Sequence, residues 1–416
     1  MTDLLACLRL ARTDGIGPGR WRQMIERYHT PQSAVEALPH LRIKGRASFA
    51  PPPVEQITRE IEQTLKLGGQ FLTVLDPAYP PQLRACPDAP PVLSVLGDRA
   101  ALSKPGVGLV GARNASVHGV RLAESLATDL VEAGLTVISG LARGIDRAAH
   151  MGALHRKGVT IAAIAGGLDR PYPPENIRLQ AEIAEKGVVV TEAPLGTIPT
   201  ARHFPRRNRL IAGLGLGCVV VEAALHSGTL ITARLALDYG RELFAVPGTP
   251  LDPRCRGSND LLRHGAILTE SAADILAHLP PLSRFASFPH GPLSQENTSQ
   301  RVFYPSPADT LFTSPPTSGQ PSRVSGQKPP KSAEFHSFSP ADPAQSPPPV
   351  QHATMQEKLL DLLSFTPIPV DDLVRHCQFS ASAVLTALTE LELTERITLL
   401  PGGRVALANE AGKRAD

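Results

Sequence analysis

The chain has 416 residues, a formal net charge of +3 and five cysteines. At about 100 to 200 residues per domain, this length excludes a single compact core and predicts two or three units. The cysteines (Cys7, Cys86, Cys218, Cys255 and Cys377) are odd in number and stand in no CxxC or other metal spacing, which argues against a disulfide scaffold or a zinc site and fits a reduced cytoplasmic protein. The N-terminal stretch lacks the basic start and cleavage site of a signal peptide. No apolar run approaches the roughly 18 residues that span a bilayer, so a soluble protein without membrane attachment is expected.

Residues 1–68 read as short helices around turns, with Gly15-Ile16-Gly17-Pro18-Gly19 between two of them. Such a turn can offer backbone N–H groups to a phosphate, as in helix-hairpin-helix or SAM-like modules; a plain interhelical turn fits as well. The segments FLTVL and VLSVLG look like two early strands. From residue 106, apolar runs (GVGLVG, TVISG, TIAAIA, VVVTEA, CVVVEA, LFAVP, AILTE) alternate with amphipathic stretches. This alternation predicts an α/β core over residues 70–280, an extended Rossmann-like, doubly wound and mainly parallel sheet. In residues 281–352 the periodicity is lost; Pro and Ser fill 28 of the 70 positions from 281 to 350, as expected of a disordered linker. Residues 353–408 then show three helical patterns and a hairpin around Gly402-Gly403, the order of a winged helix.

In open α/β sheets ligands bind beyond the carboxyl ends of the strands, where loops meet helix N-termini. The first such loop, Gly111-Ala112-Arg113-Asn114-Ala115-Ser116, departs from the GxGxxG dinucleotide fingerprint. Arg113 stands at the second glycine, where its side chain would fill the space of a close-packed pyrophosphate. No nucleotide cofactor is therefore expected; Arg113 can instead pair with a phosphate, with Ser116 capping the helix. The second loop places Arg143 among glycines. Asp146 and His150 behind it read as a local cap or salt bridge and a packed histidine, because no third ligand lies at metal spacing. Asp169 and Glu175 flank a proline turn and read as loop-shaping.

The stretch from Ala193 to Val221 contains no acidic residue and includes Arg202-His203-Phe204-Pro205-Arg206-Arg207-Asn208-Arg209. Five basic or titratable groups around one ring suit a flexible strand: arginines for phosphates and Phe204 for stacking on a base. On a helix Arg206 and Arg209 share one face while Arg207 points elsewhere. The last loop, His226-Ser227-Gly228-Thr229, opens a helix and reads as an anion site, or as a simple cap.

Taken together, VGARNASVHG, SGLARGIDRAAH, GGLDRPYPPEN, HFPRRNRLIAGL, HSGTLITARLA, RELFAVPG and GSNDLLRHGAIL resemble, in order, the blocks of the DNA-processing protein A family (DprA, also called Smf). The likeness covers residues 70–280 and extends more weakly to both ends. It implies a dimeric, non-enzymatic protein that binds incoming single-stranded DNA during natural transformation, shields it and helps load RecA. It also implies that Arg113 and the segment from Arg202 to Arg209 hold the strand; from the loop chemistry itself, Gly111, Ser116, Arg143, Ser227, Gly228 and Thr229 are expected beside them. Some members carry a lysine three residues before the phenylalanine, where this chain has Ala201. The apolar residues Leu261, Leu262 and Ile267 are the expected dimer surface.

The charge is unevenly spread. Counting Lys and Arg against Asp and Glu, residues 1–280 carry 31 − 26 = +5 and residues 353–408 carry 4 − 7 = −3. The third helical pattern of the tail has no Lys or Arg, and Glu390, Glu392 and Glu395 would repel a phosphate backbone. The tail is therefore expected to bind protein or to pack on the core rather than read duplex DNA. A competing reading is a nucleotide-processing enzyme, because the core also resembles Rossmann-like phosphoribohydrolases. Those carry PGGxGTxxE with a reactive terminal Glu, whereas here the stretch is HSGTLITA.

Overall fold

The computed structural model describes residues 2–41, 49–281, 355–377, 379–394, 396–400 and 402–408. The expected linker at 281–352 lies outside the described residues except for Pro281.

Four helices open the chain: α1 (Thr2–Ala11), α2 (Pro18–Tyr28), α3 (Pro31–Ala37) and α4 (Val54–Lys66). Proline at the first position of α2 and α3 costs no hydrogen bond there, and the Thr30 hydroxyl caps α3 by accepting from Ser33 N. Their apolar faces meet around Leu8, Leu10, Trp21, Leu38 and Ile57. The same cluster takes in Val92 and Phe71 of the first two strands, β1 (Gly69–Thr73) and β2 (Val92–Gly97).

After a short helix α5 (Pro81–Arg84) and β2, the core alternates as the sequence predicts: β3 (Gly106–Val110), α6 (Val117–Glu132), β4 (Thr136–Ser139), α7 (Ile145–His155), β5 (Thr160–Ala163), α8 (Ile177–Lys186), β6 (Val188–Thr191), α9 (His203–Leu214), β7 (Gly217–Val220), α10 (Thr229–Asp238), β8 (Glu242–Ala245), α11 (Arg256–Arg263), β9 (Ile267–Leu268) and α12 (Ala272–His278). The nine strands form one sheet in the order β1-β2-β6-β5-β4-β3-β7-β8-β9. From β6 to β9 every pair is parallel; β1 with β2 and β2 with β6 are antiparallel. The parallel strands are nearly all buried, because helices cover both faces and pack apolar clusters against each. The strand order reverses between β3 and β7, so the crevice at their carboxyl ends is where this topology holds a ligand.

Leu261 is only 4% exposed and belongs to one of these clusters, while Leu262 and Ile267 are half-buried against them. Leu261 is thus spent on the protomer's own packing, which corrects its expected place in a dimer surface.

The tail folds as α13 (Met355–Leu362), β10 (Ile368–Pro369), α14 (Val370–His376), α15 (Ala381–Leu393), β11 (Ile397–Leu400) and β12 (Arg404–Leu407). Gly402 and Gly403, with φ of 83° and 64°, turn β11 into β12, a backbone that favours glycine at both places. This winged helix packs on the core: Val117 of α6 belongs to its apolar cluster, alongside Leu359, Leu363 and Leu373.

Candidate nucleic-acid interface

Six loops at the carboxyl ends of the parallel strands, those after β3, β4, β5, β6, β7 and β8, enclose one open cleft of about 1170 Å3. The loops after β3, β4 and β5, the start of α9 and the loop after β7 all contribute to it or to the smaller pocket that adjoins it, lined by Arg143, Arg170 and Tyr172. Both cavities include Arg113 and Phe204.

Arg113 is exposed, and its guanidinium carbon stands 4.8 Å from the centre of the Phe204 ring. Arg207 lies 5.8 Å from the same ring, and Tyr172 approaches it with ring centres 5.9 Å apart, tilted by 59°. Phe204 is therefore held by two cations and an aromatic neighbour while staying half-exposed. Tyr172, 47% exposed beside it, offers a second ring to the cleft. Arg202 and Arg206 are exposed at the start of α9; Arg206 lies 3.4 Å from Glu192. Arg143 is exposed and pairs with Glu175, whose carboxyl is held below its ordinary range, first by a backbone hydrogen bond and then by Arg143. Ala201, at the lysine position of some relatives, lines the cleft with no charge to offer, next to exposed Arg202.

Four of the expected strand contacts are buried, although Arg207 and Asn208 still form part of the cleft floor. Arg207, 5% exposed, is buried against Asp146 at 3.8 Å and donates to the Ala163 carbonyl at 3.1 Å. Its guanidinium occupies the space beside Gly140, where an added Cβ would lie 1.4 Å from a guanidinium nitrogen. The glycine is there to admit an arginine, not a phosphate. Arg209 is buried between Glu192 and the Asp88 carbonyl, with the Asp88 carboxylate at 3.7 Å, and joins the end of β6 to the loop before β2. Asn208 is buried and donates to the Gly228 carbonyl at 3.3 Å. On α9 Arg207 and Asn208 lie about 100° and 200° around the helix from exposed Arg206, whereas Arg209, only about 60° from it, reaches the same Glu192 but is buried against Asp88.

Ser116 is the fourth. It is 2% exposed and caps α6 by accepting from Gly119 N at 3.0 Å. Its own N–H and hydroxyl both donate to Glu222, a buried carboxylate at the end of β7, at 3.0 and 2.5 Å. Glu222 thus supplies the negative charge at this helix N-terminus that a pyrophosphate supplies in dinucleotide folds. Gly111 and Thr229 tie the two loops at the switch point together, the Thr229 hydroxyl donating to the Gly111 carbonyl at 3.0 Å. Ser227 accepts from Thr229 N at 3.2 Å, and Gly228 is exposed between them.

Behind the cleft, His150 is fully buried. Leu141 N donates to its Nε2 at 3.3 Å, so its proton resides on Nδ1 and goes to the Thr160 hydroxyl at 2.7 Å; that hydroxyl donates to the Val137 carbonyl. Burial, aided by the Arg207 charge, pushes the imidazole down to about 3, so it is neutral. Asp146 thus bridges to Arg207 and accepts from Ala142 N, and His150 is packed, bonded to Leu141 and Thr160 rather than to Asp146. No cluster of metal-binding side chains occurs among the described residues. The loop after β7 carries no carboxylate at the place where phosphoribohydrolases have theirs, and the nearby Glu222 is locked to Ser116. Sequence reasoning missed Tyr172, Arg170, Arg254 and Arg256 as cleft residues; an exposed tyrosine within a proline-rich turn was the one available signal.

The chain matches the family model described as DNA recombination-mediator protein A over residues 70–280, and those of the DprA-like N-terminal HHH domain over 2–62 and the DprA winged helix domain over 341–403. It is 30% identical to Protein Smf of Synechocystis over 410 residues, 95% of this chain and 97% of that one. It is also 42% identical to DNA processing protein DprA of Bacillus subtilis, over 51% of this chain and 72% of the relative. The crystal structure of DprA from Streptococcus pneumoniae superposes with a TM-score of 0.58 at 33% identity, covering 66% of this chain and 98% of that one. No described helix is long and apolar enough to cross a membrane. With its Rossmann-like core, helical N-terminal domain and winged helix in the family's order, the chain belongs to the DNA recombination-mediator protein A (DprA/Smf) family.

Proposed function

We propose that this protein binds single-stranded DNA in the cleft at the β3/β7 switch point and acts, without catalysing a reaction, as a recombination mediator. In this role it protects incoming DNA during natural transformation and hands it to RecA, working as a homodimer in the cytoplasm. The observation that carries the reading is the exposed Arg113 guanidinium stacked over half-exposed Phe204, with Tyr172 alongside. A cation beside accessible rings suits a strand whose bases are free to stack and whose phosphates need neutralising. Arg143, Arg202 and Arg206 extend the positive surface on either side, and the exposed Gly228 loop offers backbone donors. The RecA and dimer roles rest on family membership.

The test is titration of the full chain with labelled single-stranded and duplex oligonucleotides at two salt concentrations. Tight, salt-sensitive binding of the single strand is expected, and Arg113→Ala should weaken it and flatten the salt slope by about one unit. Unchanged affinity in that variant would remove the site. A single strand bound no better than duplex would remove the substrate class.

A further inference from the structure

The cleft has one wall that is already in use. Asn114 and Arg254 line it, and both reach the winged helix. Asn114 donates to the Asp361 carboxylate at 3.4 Å. Arg254 donates to the Asp361 carbonyl at 2.7 Å and to the Leu363 carbonyl, at the C-terminal end of α13. Helix C-termini carry partial negative charge on unpaired carbonyls, so Arg254 meets there what a phosphate would also present. Its Nε and one Nη2 hydrogen go to Asp252, so four of its five N–H groups are engaged while the tail is seated. An ion pair joins Arg121 on α6 to Asp372, a carboxylate of α14 that is 8% exposed in its side chain. Val117 seals the contact from the core side.

We propose that the acidic winged helix is a displaceable cover for this end of the DNA cleft: it and a bound strand compete for Arg254 and Asn114. The inference rests on the reading of the cleft as a single-strand site. Seated, the tail limits the strand to the Arg113–Phe204 end. Once released, it gives up Asn114 and Arg254, beside exposed Arg256, to further phosphates. The preference of Asp361, Asp372 and the α13 carbonyls for these partners explains why a net-negative domain belongs to a DNA-binding chain.

Arg121→Glu in the full chain places like charge against Asp372 and should free the tail. Simple loss of a positive residue predicts weaker oligonucleotide binding; displacement of a competitor predicts binding about fivefold tighter to a strand long enough to span the cleft, the scale of a partly exposed ion pair. Unchanged or weaker binding overturns the proposal. Hydrogen exchange on the unmodified protein gives an independent reading. Saturating oligonucleotide should raise exchange in 370–376, and equal protection with and without it also overturns the proposal. Arg113→Ala measured on the same oligonucleotide separates the two levels. If that variant binds normally the cleft itself is misread, whereas if it binds weakly while both other results fail, only the cover is lost.

Discussion

Ser116 and Glu222 are joined by two hydrogen bonds, from the serine amide and from its hydroxyl, both buried at the point where β3 hands over to α6. The carboxylate both fixes the first loop and occupies the helix N-terminus. Gly119 is part of the same arrangement, since an added Cβ there would lie 2.6 Å from the Glu222 carboxyl carbon.

Glu222→Ala removes the acceptor for two buried donors and leaves them unsatisfied, at a cost of about 1–3 kcal/mol for each such group. Thermal unfolding should show a clear fall in midpoint for this variant and for Ser116→Ala a smaller one, close to the about 1 kcal/mol of a lost helix cap. Equal midpoints for Glu222→Ala and the unmodified chain would contradict the role of the pair.

Phe204→Ala should weaken single-strand binding by about 1–3 kcal/mol, the range for a lost base-stacking ring, with little change in the salt slope because no charge is removed. Phe204→Trp should retain most of the affinity. Loss of affinity with a lowered salt slope would instead indicate that the ring only positions Arg113.

Arg207 and Asp146 form a buried pair, and removing one partner strands the other's charge. Asp146→Asn is expected to destabilise the core by about 3–5 kcal/mol, and Arg207→Ala by a comparable amount. Loss of DNA binding in Arg207→Ala would then follow from unfolding, so circular dichroism must accompany the titration. A folded Arg207→Ala protein of normal stability that no longer binds would restore this residue to the contact surface.

His150 supplies a pH dependence. Its folded value of about 3 lies below the ordinary 6.5, so the unfolded chain takes up a proton that the folded chain refuses. The stability present above pH 6.5 is therefore lost as pH falls toward 3, at up to about 1.4 kcal/mol per pH unit for this one group. Denaturant unfolding between pH 7 and 5 should show a steeper loss for the unmodified chain than for His150→Gln. Parallel curves would place the titration elsewhere.

The strand series and the winged helix were legible because alternation of apolar runs and turn glycines is local information, whereas the strand order, with its reversal between β3 and β7, is not. The positions of Arg113 and Phe204 were legible too, in a loop and at a helix start, where the one stays exposed and the other half-exposed. The identity of the inward arginines was not legible. Arg206 and Arg207 are chemically the same and adjacent, and what separates them is the void beside Gly140, formed by a distant loop. Ser116 was read as a cap, but its partner Glu222 ends a strand far along the chain. The tail was expected to bind protein or pack on the core; it packs on the core, through Val117 and Arg121 of a helix whose pattern alone does not say which face is taken.

Val92 and Phe71 complete the apolar cluster of the four N-terminal helices, and Arg12 pairs with Glu60 at 2.8 Å while donating to the Glu192 carbonyl at the end of β6. The boundary near residue 68 is thus a seam in sequence and not a hinge. A protease cutting after α4 would free no self-sufficient module. The helical fragment would lose the two side chains that finish its interior, and the sheet would be left with a bare apolar edge, so nicking there should promote aggregation of both pieces instead of yielding two soluble products.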